Sequence, residues 1–154
     1  MIIVQKAELT FTVFLIHALA ERWKVTPPEA YAVLSDTGIL DEYILPCYDI
    51  LHTQGREYLV DDITEFVREK GIEVSNADEV IKDRDCNSLT YVYRQNLDED
   101  IIALLFKSKD IDVREAMEKY YRSELAKQIA TGENGIDNLS CTALAEDLIE
   151  NELT

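Results

Sequence analysis

Basic residues are scarce in this chain. Its 154 residues include 15 Lys and Arg against 31 Asp and Glu, a formal net charge of −16. Proteins that hold DNA, RNA or anionic membrane do so largely by neutralising phosphate with Lys and Arg, and a field of this sign repels all three. No nucleic-acid or membrane partner is expected. Cysteine is equally sparse. Cys47, Cys86 and Cys141 form no CxxC pair, which excludes a disulfide framework and a zinc ribbon and points to reduced thiols in a cytoplasmic protein. Gly numbers five and Pro three, and alternating strand-like runs are few, so a strand-and-turn architecture is not expected. No phosphate-cradling glycine loop and no serine elbow is present. The apolar stretch Phe11 to Ala20 is too short to span a bilayer, and the residues before it lack the cationic start of a signal peptide.

What is present is helix. Hydrophobic residues make up 47% of the chain, enough to bury a core. A first amphipathic helix is predicted from Glu8 to Lys24, with Thr10, His17, Glu21 and Lys24 on one polar stripe. Thr26-Pro27-Pro28-Glu29 starts a second: Thr26 caps, Pro27 fits the first position, and Gly38 closes it in the left-handed region. A third covers Leu40 to Leu51, bent or restarted at Pro46. The turn His52-Thr53-Gln54-Gly55 leads to a fourth, Arg56 to Lys70, closed by Gly71.

Residues 72–87 read as a polar connector, with the start of one helical turn at Asn76 or Asp78. Leu89 to Gln95 suits strand or helix, and Asp98-Glu99-Asp100 reads as the acidic start of a helix. Asp112 with Glu115 caps another through Tyr121, which residues 123–130 continue. Thr131 to Asn138 reads as a loop, and Ser140 caps a last helix through Asn151.

The expected fold is all-α: two small four-helix units in tandem, residues 1–74 and 75–154. Several features recur at an offset of 85 or 86 residues. Thr26-x-x-Glu29 matches Asp112-x-x-Glu115, Leu15-Ile16 matches Ile101-Ile102, and Leu59 to Ile63 resembles Leu144 to Leu148. A degenerate internal repeat accounts for these offsets. So does the chance similarity of capped amphipathic helices. The charge is shared, −7 in the first half and −9 in the second.

Chemistry is hard to find. His17 lies on the polar stripe, where a structural or solvated role is expected. His52 sits on a polar turn with Thr53 and Gln54, with Cys47 and Asp49 nearby in sequence, but no orienting group completes a catalytic set. Its default role is to bond helix ends. Asp83 to Ser88 imitates a calcium loop yet has Ser88 where Gly is needed and Arg94 in place of the final Glu. Asp61 and Asp62 diverge by about 100° on a helix. No metal and no cofactor is expected.

Gly38 to Ile63 carries a resemblance. Its Tyr48-x-x-Leu51-His52-Thr53-x-Gly55 element, followed by Tyr58-x-Val60-x-Asp62-Ile63, resembles the bacterial domain-of-unknown-function family numbered thirty-seven ninety-one. The likeness covers Thr10 to Gly71. The second half, at Tyr120-Tyr121-Arg122-Ser123 and Leu148-Ile149-Glu150, resembles short helical reading frames found beside that family. The family is named for no reaction. The resemblance implies gene clusters like toxin–antitoxin modules, with ADP-ribosyltransferase-like neighbours.

The expected function is therefore a non-catalytic protein-interaction module, antitoxin-like, neutralising an ADP-ribosyltransferase-like partner. The expected contact surface is Tyr48, His52, Thr53, Gln54, Arg56 and Tyr58, since Tyr is enriched at such interfaces. Three alternatives stay open: a small enzyme using His52 with Cys47 or Asp49, a DNA-binding regulator that would need a basic face, and an acidic helical scaffold.

Overall fold

Capping and closing residues set most of the helix ends in the computed structural model, which describes residues 6–72, 89–109, 111–131 and 140–151. Helix α1 is Lys6–Trp23. It ends where Lys24 turns left-handed at φ 57° and the Val25 amide reaches back to the Ala20 carbonyl at 3.0 Å, a Schellman closure. Helix α2 is Pro27–Asp36, capped by Thr26, whose hydroxyl accepts from the Glu29 amide. Gly38 closes it at φ 81°.

Pro46 divides the next segment, as its missing N–H requires. A π-helical turn spans Leu40–Ile44, with the Leu45 amide on the Leu40 carbonyl at 3.0 Å. The chain restarts as α3, Tyr48–Leu51. Helix α4 is Arg56–Glu69, with Leu59, Val60, Ile63, Thr64 and Val67 buried, and Gly71 at φ 87° ends it.

Helix α5 runs unbroken over Leu89–Lys109. This settles Leu89 to Gln95 as helix and corrects the reading of residues 98–100, which lie in mid-helix rather than at a start. Helix α6 is Val113–Tyr121, its Glu115 amide held by Asp112 at 2.7 Å. Residues 123–130 do not continue it. The chain breaks at Arg122 and Ser123, and the Ser123 hydroxyl caps a separate α7, Glu124–Thr131, at the Ala126 amide. Helix α8 is Cys141–Asn151, with Ser140 capping the Ala143 amide. The fold is all-α, with no strand among the described residues. The expected boundary at residue 74, the possible helix start near Asn76 and the calcium-like run at Asp83 to Ser88 lie outside those residues.

Helix α1 is the centre. Leu9, Val13, Leu15, Ile16, Ala18, Leu19, Ala20 and Trp23 are all buried, which wraps most of its circumference and marks a core helix. It packs on α2 and α4 within the first half and on α5 across to the second; α5 packs on α6 and α8, and α2 meets α6 and α7. Trp23 donates from its indole Nε1 to Thr64 Oγ1 at 3.0 Å, fixing α1 to α4. One apolar cluster extends from Leu9 through Ile102 to Leu148. No described helix is long and apolar enough to cross a membrane.

Candidate functional site

The six residues expected to make contact fall in one short stretch, α3, the turn after it and the first turn of α4. Tyr48 is half-buried and fixes the stretch to the core: its ring meets Phe11 of α1 edge-on at 5.5 Å. His52 is exposed and stacks flat on Tyr48, 4.4 Å between centroids and 8° between planes. The His52 Nδ1–H donates to the Tyr48 carbonyl at 2.7 Å. Thr53 donates to the Ile50 carbonyl at 2.7 Å. These are the helix-end bonds expected of a histidine and threonine on such a turn. Thr53, Gln54 and Gly55 are exposed, and Arg56 is half-buried.

Two apolar side chains project here. Ile50 is 66% exposed and Tyr58 59%. Tyr58 was expected from the sequence. Ile50 was missed, because an isoleucine beside Leu51 looks like core until the direction of α3 is known. Around them stand exposed Asp49 and Glu57, which have no ion-pair partner among the described residues. Cys47 and Asp49, considered as partners for His52, make no hydrogen bond to it among the described residues, and Cys47 is a free, half-buried thiol.

The flank of α4 beyond Tyr58 is polar and aromatic. Tyr43 donates to Asp62 Oδ2 at 2.6 Å and stacks on Phe66 at 5.3 Å. The bond to Asp62, then burial, pushes the Tyr43 phenol up to about 12.

A second polar group lies inside the protein, with little in the residue pattern to signal it. His17 is buried, not solvated, because the stripe it shares with Thr10 faces α5. Its Nε2 lies 2.7 Å from Asp98 Oδ2. Thr10 likewise donates to Glu99 of α5. Asp98 also accepts from Tyr120 at 2.5 Å and Tyr121 at 3.2 Å. Burial first, then the adjacent carboxylate, raises both phenols well above their ordinary range, so they stay neutral donors.

Tyr121 stacks on Tyr31 at 5.0 Å, and Tyr31 opens a third group at the α2–α6 seam. The Tyr31 hydroxyl donates to Glu118 and accepts from Arg114 Nη1 at 2.5 Å. Arg114 grips Asp41 with two nitrogens, at 2.7 and 3.1 Å. Arg122 bridges Asp36 at 2.8 Å and Glu118 at 3.0 Å. Both guanidinium groups also sit over the Tyr31 ring, at 5.5 and 5.7 Å. Burial, then the bond to Glu118, lifts Tyr31 to about 12. Burial alone would raise Glu118, but the bonds from Tyr31 and Arg122 outweigh it and hold the carboxyl below its usual range. Arg114 and Arg122 are thus spent on internal partners. Among the described residues no group of His, Cys, Asp and Glu is arranged to hold a metal ion.

Comparison with known proteins bears on the first half. Residues 10–70 match the model of a family described as a protein of unknown function, DUF3791. That stretch runs from α1 through α4 and contains all six expected contact residues. It agrees with the resemblance carried by Gly38 to Ile63. No curated protein and no solved structure matches the chain.

Proposed function

We propose that this chain is a non-catalytic protein-interaction module whose contact surface is the α3–α4 turn, from Tyr48 to Tyr58. The observation that carries the reading is the exposure of Ile50 and Tyr58 on either side of a turn stiffened by stacking and helix-end bonds. Apolar patches rimmed by polar residues are a feature of binding surfaces, and tyrosine is a frequent anchor. Little ordering entropy is lost when such a surface engages. Asp49 and Glu57 at its rim favour a basic partner and would speed its approach.

The partner class comes from the resemblance of the first half: an ADP-ribosyltransferase-like protein, which the module neutralises in the manner of an antitoxin. An acidic helical protein is suited to occlude a basic cleft built for a dinucleotide pyrophosphate. Co-expression with an ADP-ribosyltransferase-like protein encoded beside a member of this family, followed by affinity capture, should give a stable complex. Substituting Ile50→Asp and Tyr58→Ala together should abolish it while leaving the melting curve unchanged. Failure of the unaltered chain to form any complex refutes the partner assignment, and a complex indifferent to both substitutions refutes the surface.

A further inference from the structure

Most cations in the described residues are occupied. Arg22 holds Asp61 at 2.5 Å, Arg114 holds Asp41, and Arg122 holds Asp36. Arg56 differs. Like Lys24, Arg68 and Lys107, it makes no ion pair among the described residues, but its side chain alone among them holds a buried donor. Its Nε is shut off from solvent with its hydrogen-bonding capacity unused. A buried donor without an acceptor is uncommon and raises the energy of the state that contains it. The side chain is half-buried, so the guanidinium retains contact with solvent at its outer edge. It occupies the first position of α4, behind a Gly55 that offers no side-chain cap.

Recruiting Arg22, Arg114 or Arg122 to a partner would first break an internal bond. Recruiting Arg56 breaks none, and a rearrangement that uncovers Nε would present it together with Nη to an acceptor. An acceptor with two oxygens fills that fork, and on a protein partner that acceptor is a carboxylate. Resting on the reading of this turn as a contact surface, we propose that Arg56 is its polar anchor and takes a carboxylate of the protein partner in a two-point bond. The immediate neighbours define the surroundings of that carboxylate. Asp49 on α3 and Glu57 on α4, both exposed on this stretch, repel a purely acidic segment, so the partner presents one carboxylate among cationic side chains. Ile50 and Tyr58 supply the apolar contacts on either side.

The test uses the full chain and the co-expressed ADP-ribosyltransferase-like protein, with binding followed by calorimetry. Arg56→Gln should weaken binding roughly tenfold or more. Arg56→Lys, which keeps the charge but loses the fork, should also weaken it. The Arg56 Nε–H signal in a nitrogen-15 spectrum of the unaltered chain should shift on saturation with the partner, a readout that does not depend on how the variants fold. An unmoved signal in the saturated complex overturns the proposal. So does Arg56→Gln binding within roughly twofold of the parent while Tyr58→Ala weakens strongly, and that outcome leaves the contact surface standing. If the unaltered chain binds nothing, the partner assignment fails, and the anchor proposed for that partner fails with it.

Discussion

Replacing Asp98 with Ala should be among the most damaging single substitutions in the protein. The carboxylate is buried and accepts from three groups: the His17 imidazole at 2.7 Å, Tyr120 at 2.5 Å and Tyr121 at 3.2 Å. Alanine removes the acceptor of all three and leaves the donors stranded inside the protein. A stranded buried donor costs about 1–3 kcal/mol. The three share one site and can relax together, so their sum is an upper limit. Allowing for that relaxation, about 3–5 kcal/mol is the expected loss. It is a large fraction of the roughly 5–15 kcal/mol that holds a domain folded. For a chain of this length, each kcal/mol moves the melting temperature by about 2–4 °C, which puts the shift at roughly 6–20 °C. Urea unfolding followed by circular dichroism measures the free energy, and thermal melts give the shift. Asp100→Ala is the control: it lies on the same helix, is exposed, and should cost under about 0.5 kcal/mol. If Asp98→Ala and Asp100→Ala cost the same, the buried carboxylate is not the acceptor it is taken to be.

Three further predictions follow from the backbone and the phenols. Lys24→Gly should stabilise by about 0.5–1 kcal/mol, because it relieves a left-handed lysine at some cost in unfolded-state entropy; chemical denaturation measures it. Gly71→Ala should destabilise by about 1 kcal/mol through its φ of 87° alone, since an added Cβ meets nothing within 4 Å. Tyr31 and Tyr43 have folded pKa values raised from 10.0 to about 12. The stability they contribute is therefore complete below pH 10 and is lost as pH rises through 12. Unfolding free energies that stay flat across that window would contradict the burial and hydrogen bonding that raise them.

Local chemistry was legible in the sequence wherever the signal was local. Thr26, Asp112 and Ser140 cap the helices they were expected to cap, and Gly38 and Gly71 close theirs in the left-handed region. The resemblance of Thr10 to Gly71 corresponds to a family match at residues 10–70. Asp98 was misread because three consecutive acids resemble a helix start. Its true partners stand 81, 22 and 23 residues away, a distance at which sequence pattern carries no signal. On the polar stripe predicted for α1, Thr10 and Lys24 are exposed, and of the structural and solvated roles open to His17 only the approach of α5 selects the structural one. Ile50 carries the opposite lesson. On a four-residue helix the apolar period is too short to tell a buried side from an exposed one.

The chain of contacts from His17 through Asp98 and Tyr121 to Tyr31 has a consequence for biosynthesis. His17 and Tyr31 leave the ribosome before their partners, which follow only when α5 and α6 have been made. About 50 residues separate the end of α4 from the end of α6, which at about 5–20 residues per second is a delay of roughly 3–10 s. During that interval the first four helices hold an imidazole and a tyrosine ring that have nowhere to dock. The central helix is thus made well before α5 and α6, which complete its enclosure.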